Sequence, residues 1–271
     1  TILDPACGSG SFLIGAYQFL LNWHRDWYIE HLVPTIKEKG ATSPEVQALL
    51  PPTRETSSRR GRERRRSATQ NLPIYKAGNG TETRTRSDWK LTTAERKRIL
   101  LNNIYGVDID PQAVEVTKLS LLLKVLEDES EESVSKQLTL FAERALPSLH
   151  ENIKCGNSLV APDIYDDFSI QPSIEERKKL NVFDWEREFA EIVQRGGFNV
   201  VIGNPPWGSS FSPSEQAYLK KNYSSARGRN IDSYAVFIEF GLKMLNKKGQ
   251  LSYITPDILL RKDDHLSLRN F

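Results

Sequence analysis

Long apolar runs are missing from this sequence. Nowhere in its 271 residues do about 18 consecutive apolar positions occur, the least that a membrane-spanning helix needs, so no membrane segment is expected. A charged leader followed by an apolar stretch and a small-residue cleavage site is absent too, and nothing points to secretion. Cysteine is scarce: Cys7 and Cys155 are the two present, which fits a reducing cytoplasm. The four histidines, His24, His31, His150 and His265, show no metal-ligand spacing with those cysteines, so no metal site is expected. Neither sign of charge dominates. A net charge of +2 excludes a strongly basic, histone-like binder but leaves room for an enzyme of nucleic acid, whose useful charge is local. Methionine occurs once, at Met244, and the chain opens on Thr1 in mid-pattern; a piece of a longer protein is expected.

What is present is enough for one large domain or two small ones. The hydrophobic share of 38% allows a real core, and the charged share of 27% requires some polar, loop-like segments. Residues 1–4 read as the end of a buried strand, followed by a Gly/Pro turn at 5–10. Phe12, Ala16, Phe19/Leu20, Trp23 and Trp27 then recur at helical spacing, which predicts an amphipathic helix to about residue 30. Residues 40–90 carry no core-forming period. Seven arginines lie between 54 and 66. This stretch is either a solvated linker or an arm that contacts phosphates, since clustered arginine releases counterions from DNA.

Order returns with a helix at 94–103, a strand at 104–108 and an apolar helix with Val114, Thr117, Leu121, Leu122 and Val125. Asp110 is placed to cap that helix and Pro111 to open it. An acidic exit spans Glu127 to Glu132. Further strands are expected at 152–155, 198–202 and 250–254, and further helices near 184–194 and at 233–245, with a turn at Lys247-Lys248-Gly249. Strands alternating with helices predict an α/β fold with a parallel sheet.

Four candidate site motifs each follow a strand. In DPACGSG (4–10), Gly8 and Gly10 let the backbone approach a ligand, and the following helix N-terminus favours an anion. Asp4 suits a cationic amine. A carboxylate joined to an ammonium is the amino-acid end of S-adenosylmethionine, whereas a phosphate loop would end in Gly-Lys-Ser/Thr. Asp108, at the end of the second strand, can accept from both hydroxyls of a ribose. It follows Asp4 by 104 positions rather than roughly 20, which requires an insertion over about 31–95. In GNSL (156–159), Asn157 could accept from the amino group of the cofactor adenine.

The motif NPPW (204–207) carries the chemistry. An aromatic amine is a poor nucleophile because its lone pair is delocalised into the ring. Two acceptors holding its hydrogens would draw the nitrogen toward tetrahedral geometry and aim the lone pair at a methyl donor. The Asn204 side chain and the Pro205 carbonyl can be those acceptors, with the prolines keeping them rigid. Trp207 offers a flat face to a base taken out of the duplex. Stacking of roughly 1–3 kcal/mol sets off a flipping cost of about a few kcal/mol. A metal-nuclease-like string, Pro162-Asp163 with Glu176-Arg177-Lys178, lies in a polar stretch that is not strand-like, and no metal is needed for methyl transfer.

Together DPACGSGSFL (4–13), GVDIDPQAV (106–114), GNSL (156–159) and VIGNPPW (201–207) resemble the successive motifs of the adenine-N6 DNA methyltransferases of restriction-modification and related phage-defence systems. The helix at 233–245 and the strand ending in Thr255-Pro256 resemble the next two motifs. The likeness covers about 1–30 and 95–260 and is nearest to large single-chain methylases, including fused restriction-methylation enzymes. It implies a Rossmann-like S-adenosylmethionine-dependent fold with helices on both faces of the sheet. Asp4, Pro5, Ala6, Gly8 and Gly10 would line the methionine end, Asp108 hold the ribose, and Ile109 lie against adenine. Asn157 and Ser158 would lie near the cofactor base, and Asn204, Pro205, Pro206 and Trp207 would serve the target. Many members carry Asp where this chain has Asn157, and Tyr or Phe where it has Trp207. The implied partner is double-stranded DNA with a flipped adenine. A target-recognition domain, absent from 1–271, is expected fused to or associated with this part, and the likeness leaves open whether a nuclease domain is fused as well. The rivals are methylation of a protein glutamine amide or of the cytosine amino group, and a DNA-binding module without catalysis.

Overall fold

Short apolar runs that end in a polar or glycine-rich turn become parallel strands in this chain, and the longer runs between them become helices. Its structure, a computed structural model, describes residues 1–51, 72–76, 88–127, 147–167, 169–170, 172–228 and 230–257. In chain order β1 (Ile2–Asp4) is followed by α1 (Ser11–Trp27), which continues through a π-helical turn (Tyr28–Leu32) into α2 (Val33–Lys39). Next come α3 (Pro44–Leu49), β2 (Ile74–Lys76), β3 (Trp89–Leu91), α4 (Thr93–Asn103), β4 (Ile104–Asp108), α5 (Pro111–Leu126) and β5 (Ile153–Cys155). The remaining elements are α6 (Ile174–Leu180), α7 (Trp185–Glu188), α8 (Ala190–Gln194), β6 (Phe198–Gly203), α9 (Pro213–Asn222), α10 (Ser233–Met244) and β7 (Leu245–Tyr253). No described helix is long and apolar enough to cross a membrane. The chain forms two compact units, one of residues 1–17 with those from 100 onward, the other of residues 18–99.

The first unit holds a five-stranded sheet in the order β5-β4-β1-β6-β7, every pair parallel. From β1 the chain adds β4 and β5 outward in one direction, and β6 and β7 in the other. Parallel crossovers are right-handed, so the two series place their helices on opposite faces of the sheet. Strand alternation shows it. A Cβ on Gly106 would lie 2.7 Å from the Leu13 side chain of α1. Its neighbours Tyr105 and Val107 turn the other way, into a cluster with Leu3, Phe198, Val201 and, from α10, Val236, Phe237 and Phe240. The reversal between β1 and β6 leaves a crevice at their carboxyl ends, where such sheets bind ligands.

The helix that follows β4 forms as its sequence requires. Asp110 accepts from the Gln112 N–H at 2.9 Å, Pro111 opens the helix, and Val114, Thr117, Leu121 and Val125 are buried. Three expectations are corrected. The apolar stripe read on α1 is the outward one: Leu13, Tyr17 and Leu21 are buried, while Phe19 is 67% and Trp23 53% exposed. Helical period marks both stripes, and only contact with a neighbouring strand selects between them. The single helix near 184–194 is two, broken at Phe189 (φ −127°, ψ 40°). There the ring packs among Tyr105, Phe183, Trp185 and Phe198. Finally, β7 begins at Leu245, not Gln250. Phe198 pairs with Leu245 and Val200 with Gln250, so the Lys247-Lys248-Gly249 turn becomes an outward excursion within the strand.

In the second unit α3 is capped by Ser43, which accepts from the Val46 N–H, and β2 pairs antiparallel with β3. Glu95 is buried and anchors this unit. It accepts from the Tyr28 hydroxyl at 2.7 Å and from two Arg98 nitrogens at 2.7 and 2.6 Å. No element is readable between 40 and 90 from the sequence because α3, β2 and β3 are too short to show a period. The arginine run at 54–66 and the acidic stretch beyond Glu127 lie outside the described residues.

The two sides of this packing separate by measurement. Phe198→Ala empties a fully buried site and is expected to cost about 3–5 kcal/mol in urea denaturation. Phe19→Ala, on the exposed stripe, is expected to stay within about 0.5 kcal/mol.

Candidate active site

The site is built from β1 outward. Asp4 ends that strand with only 1% of its surface exposed, and its carboxylate accepts from the Ala6 N–H at 3.1 Å. The turn after it is clamped to β4 by the Cys7 N–H, which donates to the Val107 carbonyl at 3.0 Å. Gly8 (φ 50°) and Gly10 (φ 85°) adopt the left-handed conformation that the turn requires. A Cβ on Gly10 would lie 2.8 Å from Thr117 of α5, and the Thr117 hydroxyl donates to the Gly8 carbonyl at 2.7 Å. Pro5 and Gly10 are thus buried structural members of the turn, while Ala6 and Gly8 are partly exposed along it.

Asp108, at the end of β4, reaches back to this turn. One carboxylate oxygen accepts from the Gly8 N–H at 2.7 Å and the other from the Asp110 N–H at 3.0 Å. A carboxylate has about four acceptor positions, so each oxygen keeps capacity for a ligand hydroxyl. Ile109 is half exposed beside it. After β5, the Gly156 N–H donates to the Asp108 carbonyl at 2.8 Å, and the Ser158 hydroxyl donates to the Pro5 carbonyl at 2.6 Å. Ser158 is therefore a buried tie between loops. Asn157 is buried as well; its side-chain oxygen accepts from the Leu159 N–H, and its NH2 group donates to Glu215 of α9, both at 3.1 Å.

On the other side of the reversal, β6 ends at Gly203, whose φ is +150°. A Cβ there would lie 2.6 Å from the Asp4 carboxylate, so the strand that leads to Asn204 passes directly against the first acid. Asn204 and Pro206 are exposed, Pro205 is buried, and Trp207 shows 52% of its surface. The buried hydroxyl of Ser233, at the start of α10, donates to the Pro206 carbonyl at 2.5 Å and accepts from the Ser209 N–H at 3.4 Å. It holds the chain on both sides of Trp207 and Gly208.

All four motifs read from the sequence therefore meet at one edge of the sheet. Thr117, Ser233 and Glu215 were not among the expected site residues. Thr117 had a signal, a hydroxyl within an otherwise apolar helical stripe. Glu215 had one too, as the last residue of the capping-box string Ser212-Pro213-Ser214-Glu215. The nuclease-like string dissolves into structure: Asp163 accepts from the Tyr218 hydroxyl and Glu176 caps α6. Among the described residues no three His, Cys, Asp or Glu side chains gather as metal ligands.

Electrostatically the site favours a cation. Burial, opposed by the Ala6 N–H and reinforced by the nearby Asp108 charge, pushes the Asp4 carboxyl up to about 7. Burial, with the Asp4 and Asp108 charges, also pushes the Cys7 thiol up, so Cys7 is no thiolate nucleophile.

A family model described as Eco57I restriction-modification methylase matches residues 102–271, more than half of the sequence, and the chain belongs to that family. It is 28% identical over 273 residues to the type II restriction enzyme and methyltransferase RM.Eco57I of Escherichia coli, a match that covers 99% of this chain and 21% of that protein. With RM.MjaORFECS2P of Methanocaldococcus jannaschii it shares 23% identity over 366 residues, covering 94% of this chain and 26% of the other. The chain thus spans about a fifth to a quarter of these relatives. A nuclease-deletion mutant of the Type ISP restriction-modification enzyme LlaGI, solved with a DNA substrate mimic, superposes with a TM-score of 0.49 at 13% identity, covering 99% of this chain and 16% of that one. The family resemblance read from the motifs is borne out.

The raised acid has a consequence for stability. Folded, Asp4 keeps its proton up to about pH 7; unfolded, it ionises near 3.8. Between those values the folded state binds the extra proton, so stability falls as pH rises from about 4 to about 7, by at most about 1.4 kcal/mol per pH unit. Asp4→Asn is expected to remove that component, which urea titrations of both proteins at several pH values measure.

Proposed function

We propose that this chain is the catalytic core of a cytoplasmic restriction-modification enzyme and transfers a methyl group from S-adenosylmethionine to the 6-amino group of adenine in DNA. The observation that carries the reading is the contact between Gly203 and the Asp4 carboxylate. It supports the reading because Asn204 and Pro205, the proposed acceptors for the target amine, directly follow the residue that packs on a buried acid.

The residues present fit that cofactor. Asp4 matches its ammonium, the exposed rim of the glycine turn its methionine stem, the open lone pairs of Asp108 its ribose, and Ile109 its adenine. When bound, the cofactor supplies an electrophilic methyl group on a sulfonium. Asn204 and the Pro205 carbonyl accept the two hydrogens of the target amine, and Pro205, buried, holds its carbonyl rigid. Trp207 stacks on the flipped base. Ser233 keeps that loop in place through the Pro206 carbonyl. Sequence recognition and any nuclease belong to parts of the parent protein beyond residues 1–271, with 31–95 as an insertion in the catalytic domain.

Single-turnover transfer to DNA, with the modified base mapped, tests the reading. Asn204→Ala is expected to bind S-adenosylmethionine as before and to lose about 10²-fold in rate, because its contact strengthens as the nitrogen becomes tetrahedral. Methyl groups found on cytosine or on a protein amide would overturn the adenine assignment. Cofactor affinity is expected to tighten by up to about tenfold per pH unit below about 7 as Asp4 loses its proton, and to level off above. An affinity flat across that range removes Asp4 from the ammonium site.

A further inference from the structure

Asn157 is held by two partners that each permit only one role. The Leu159 N–H can only donate, and it meets the side-chain oxygen at 3.1 Å. The Glu215 carboxylate can only accept, and it meets the NH2 group at 3.1 Å. An amide can otherwise turn over and exchange its oxygen for its nitrogen; these two neighbours fix which end is which. Glu215 is itself fixed, since its second oxygen accepts from the Ser212 N–H at 2.8 Å while the Ser212 hydroxyl accepts from the Glu215 N–H at 3.3 Å. The acid thus belongs to the capping box of α9 and arrives at Asn157 already oriented.

We infer that Glu215 is a positioning residue that makes Asn157 read the 6-amino group of the cofactor purine. The inference rests on the function proposed above. With its NH2 end turned to Glu215 and its oxygen to the Leu159 N–H, Asn157 keeps one lone pair on that oxygen for a ligand N–H. That oxygen can accept from a 6-amino purine but cannot donate to a 6-oxo purine. The same geometry explains why this chain carries an amide at 157. A carboxylate there would place two like charges about 3 Å apart beside one another, a strongly unfavourable pairing without a shared proton.

The test is binding of S-adenosylhomocysteine and of its inosine counterpart to the full-length parent protein and to four variants. The wild type is expected to prefer the adenine form. Glu215→Gln retains an oxygen for the Ser212 N–H but turns an NH2 group toward Asn157, so the two amides conflict. The adenine preference is expected to fall about tenfold, the value of one hydrogen bond. Asn157→Asp alone is expected to lose affinity at neutral pH. In the double variant N157D/E215Q the introduced amide donates to one oxygen of the introduced carboxylate, the other oxygen, beside the Leu159 N–H, again has a lone pair for the purine, and the preference is expected to return. Tyr218→Phe removes the hydrogen bonds from α9 to Asp163 and Ala161 without touching Asn157, Glu215 or Ser212, and is expected to leave the preference unchanged while lowering the melting temperature. This separates instability from misorientation. A wild-type ratio in E215Q, or a double variant no better than N157D, overturns the role of Glu215. Failure of the wild type to bind either ligand overturns the cofactor reading itself.

Discussion

A single residue, Asp108, ties three turns of this site together. Asp108 takes the Gly8 N–H with its side chain while its own carbonyl takes the N–H of Gly156. The turn after β1, the end of β4 and the turn after β5 therefore share one residue as a hub. Each of these contacts spans far in sequence; Gly8 and Asp108 are separated by 100 positions, across the whole of the second unit. A hydrogen bond to a charged acceptor is worth about 1.5–3 kcal/mol, enough to keep a glycine-rich turn in a single conformation. Thr117 and Ser158 add a tie on either side of the hub. The acid that would hold a ribose is thus also the acid that shapes the turn beside it, and the two roles are not separable by mutation.

The opposite half of the site is built differently. Around Asn204 the chain relies on covalent stiffness, with two consecutive prolines and the Ser233 hydroxyl seated beneath them. The side chains left outward there, Asn204 and Trp207, are the ones the proposed chemistry uses. On the first half the acid is buried; on the second, acceptors and an aromatic face are exposed. Gly203 is where the halves touch, and its missing side chain is what allows β6 to run against Asp4.

Much of this was legible because each motif is local. DPACGSG, GVDIDP, GNSL and NPPW each state their own turn chemistry, and strand-end placement follows from the apolar run before each. The parallel sheet was legible for the same reason, since α5 and α10 are long apolar runs between short strands. What could not be read depends on which neighbour an element meets. The face of α1 is one case, because Phe12, Phe19 and Trp23 fit the same helical period as the buried Leu13, Tyr17 and Leu21. The break at Phe189 is another, because the ring that ends α7 is drawn into a cluster assembled from distant strands. Side-chain partnerships were the least legible. Glu215 belongs to a recognisable helix cap, but its second partner, Asn157, lies 58 residues away, and no local pattern records that meeting.

The near-neutral ionisation of Asp4 reaches beyond the site itself. At pH 6 this carboxyl is mostly protonated, so any ammonium-bearing ligand that settles against it must expel a proton into the buffer. Heat measured on such an event includes the enthalpy with which the buffer takes up that proton, and will differ between phosphate and Tris at the same pH. The buried acid therefore turns occupancy of the site into a calorimetric signal set as much by the solution as by the protein.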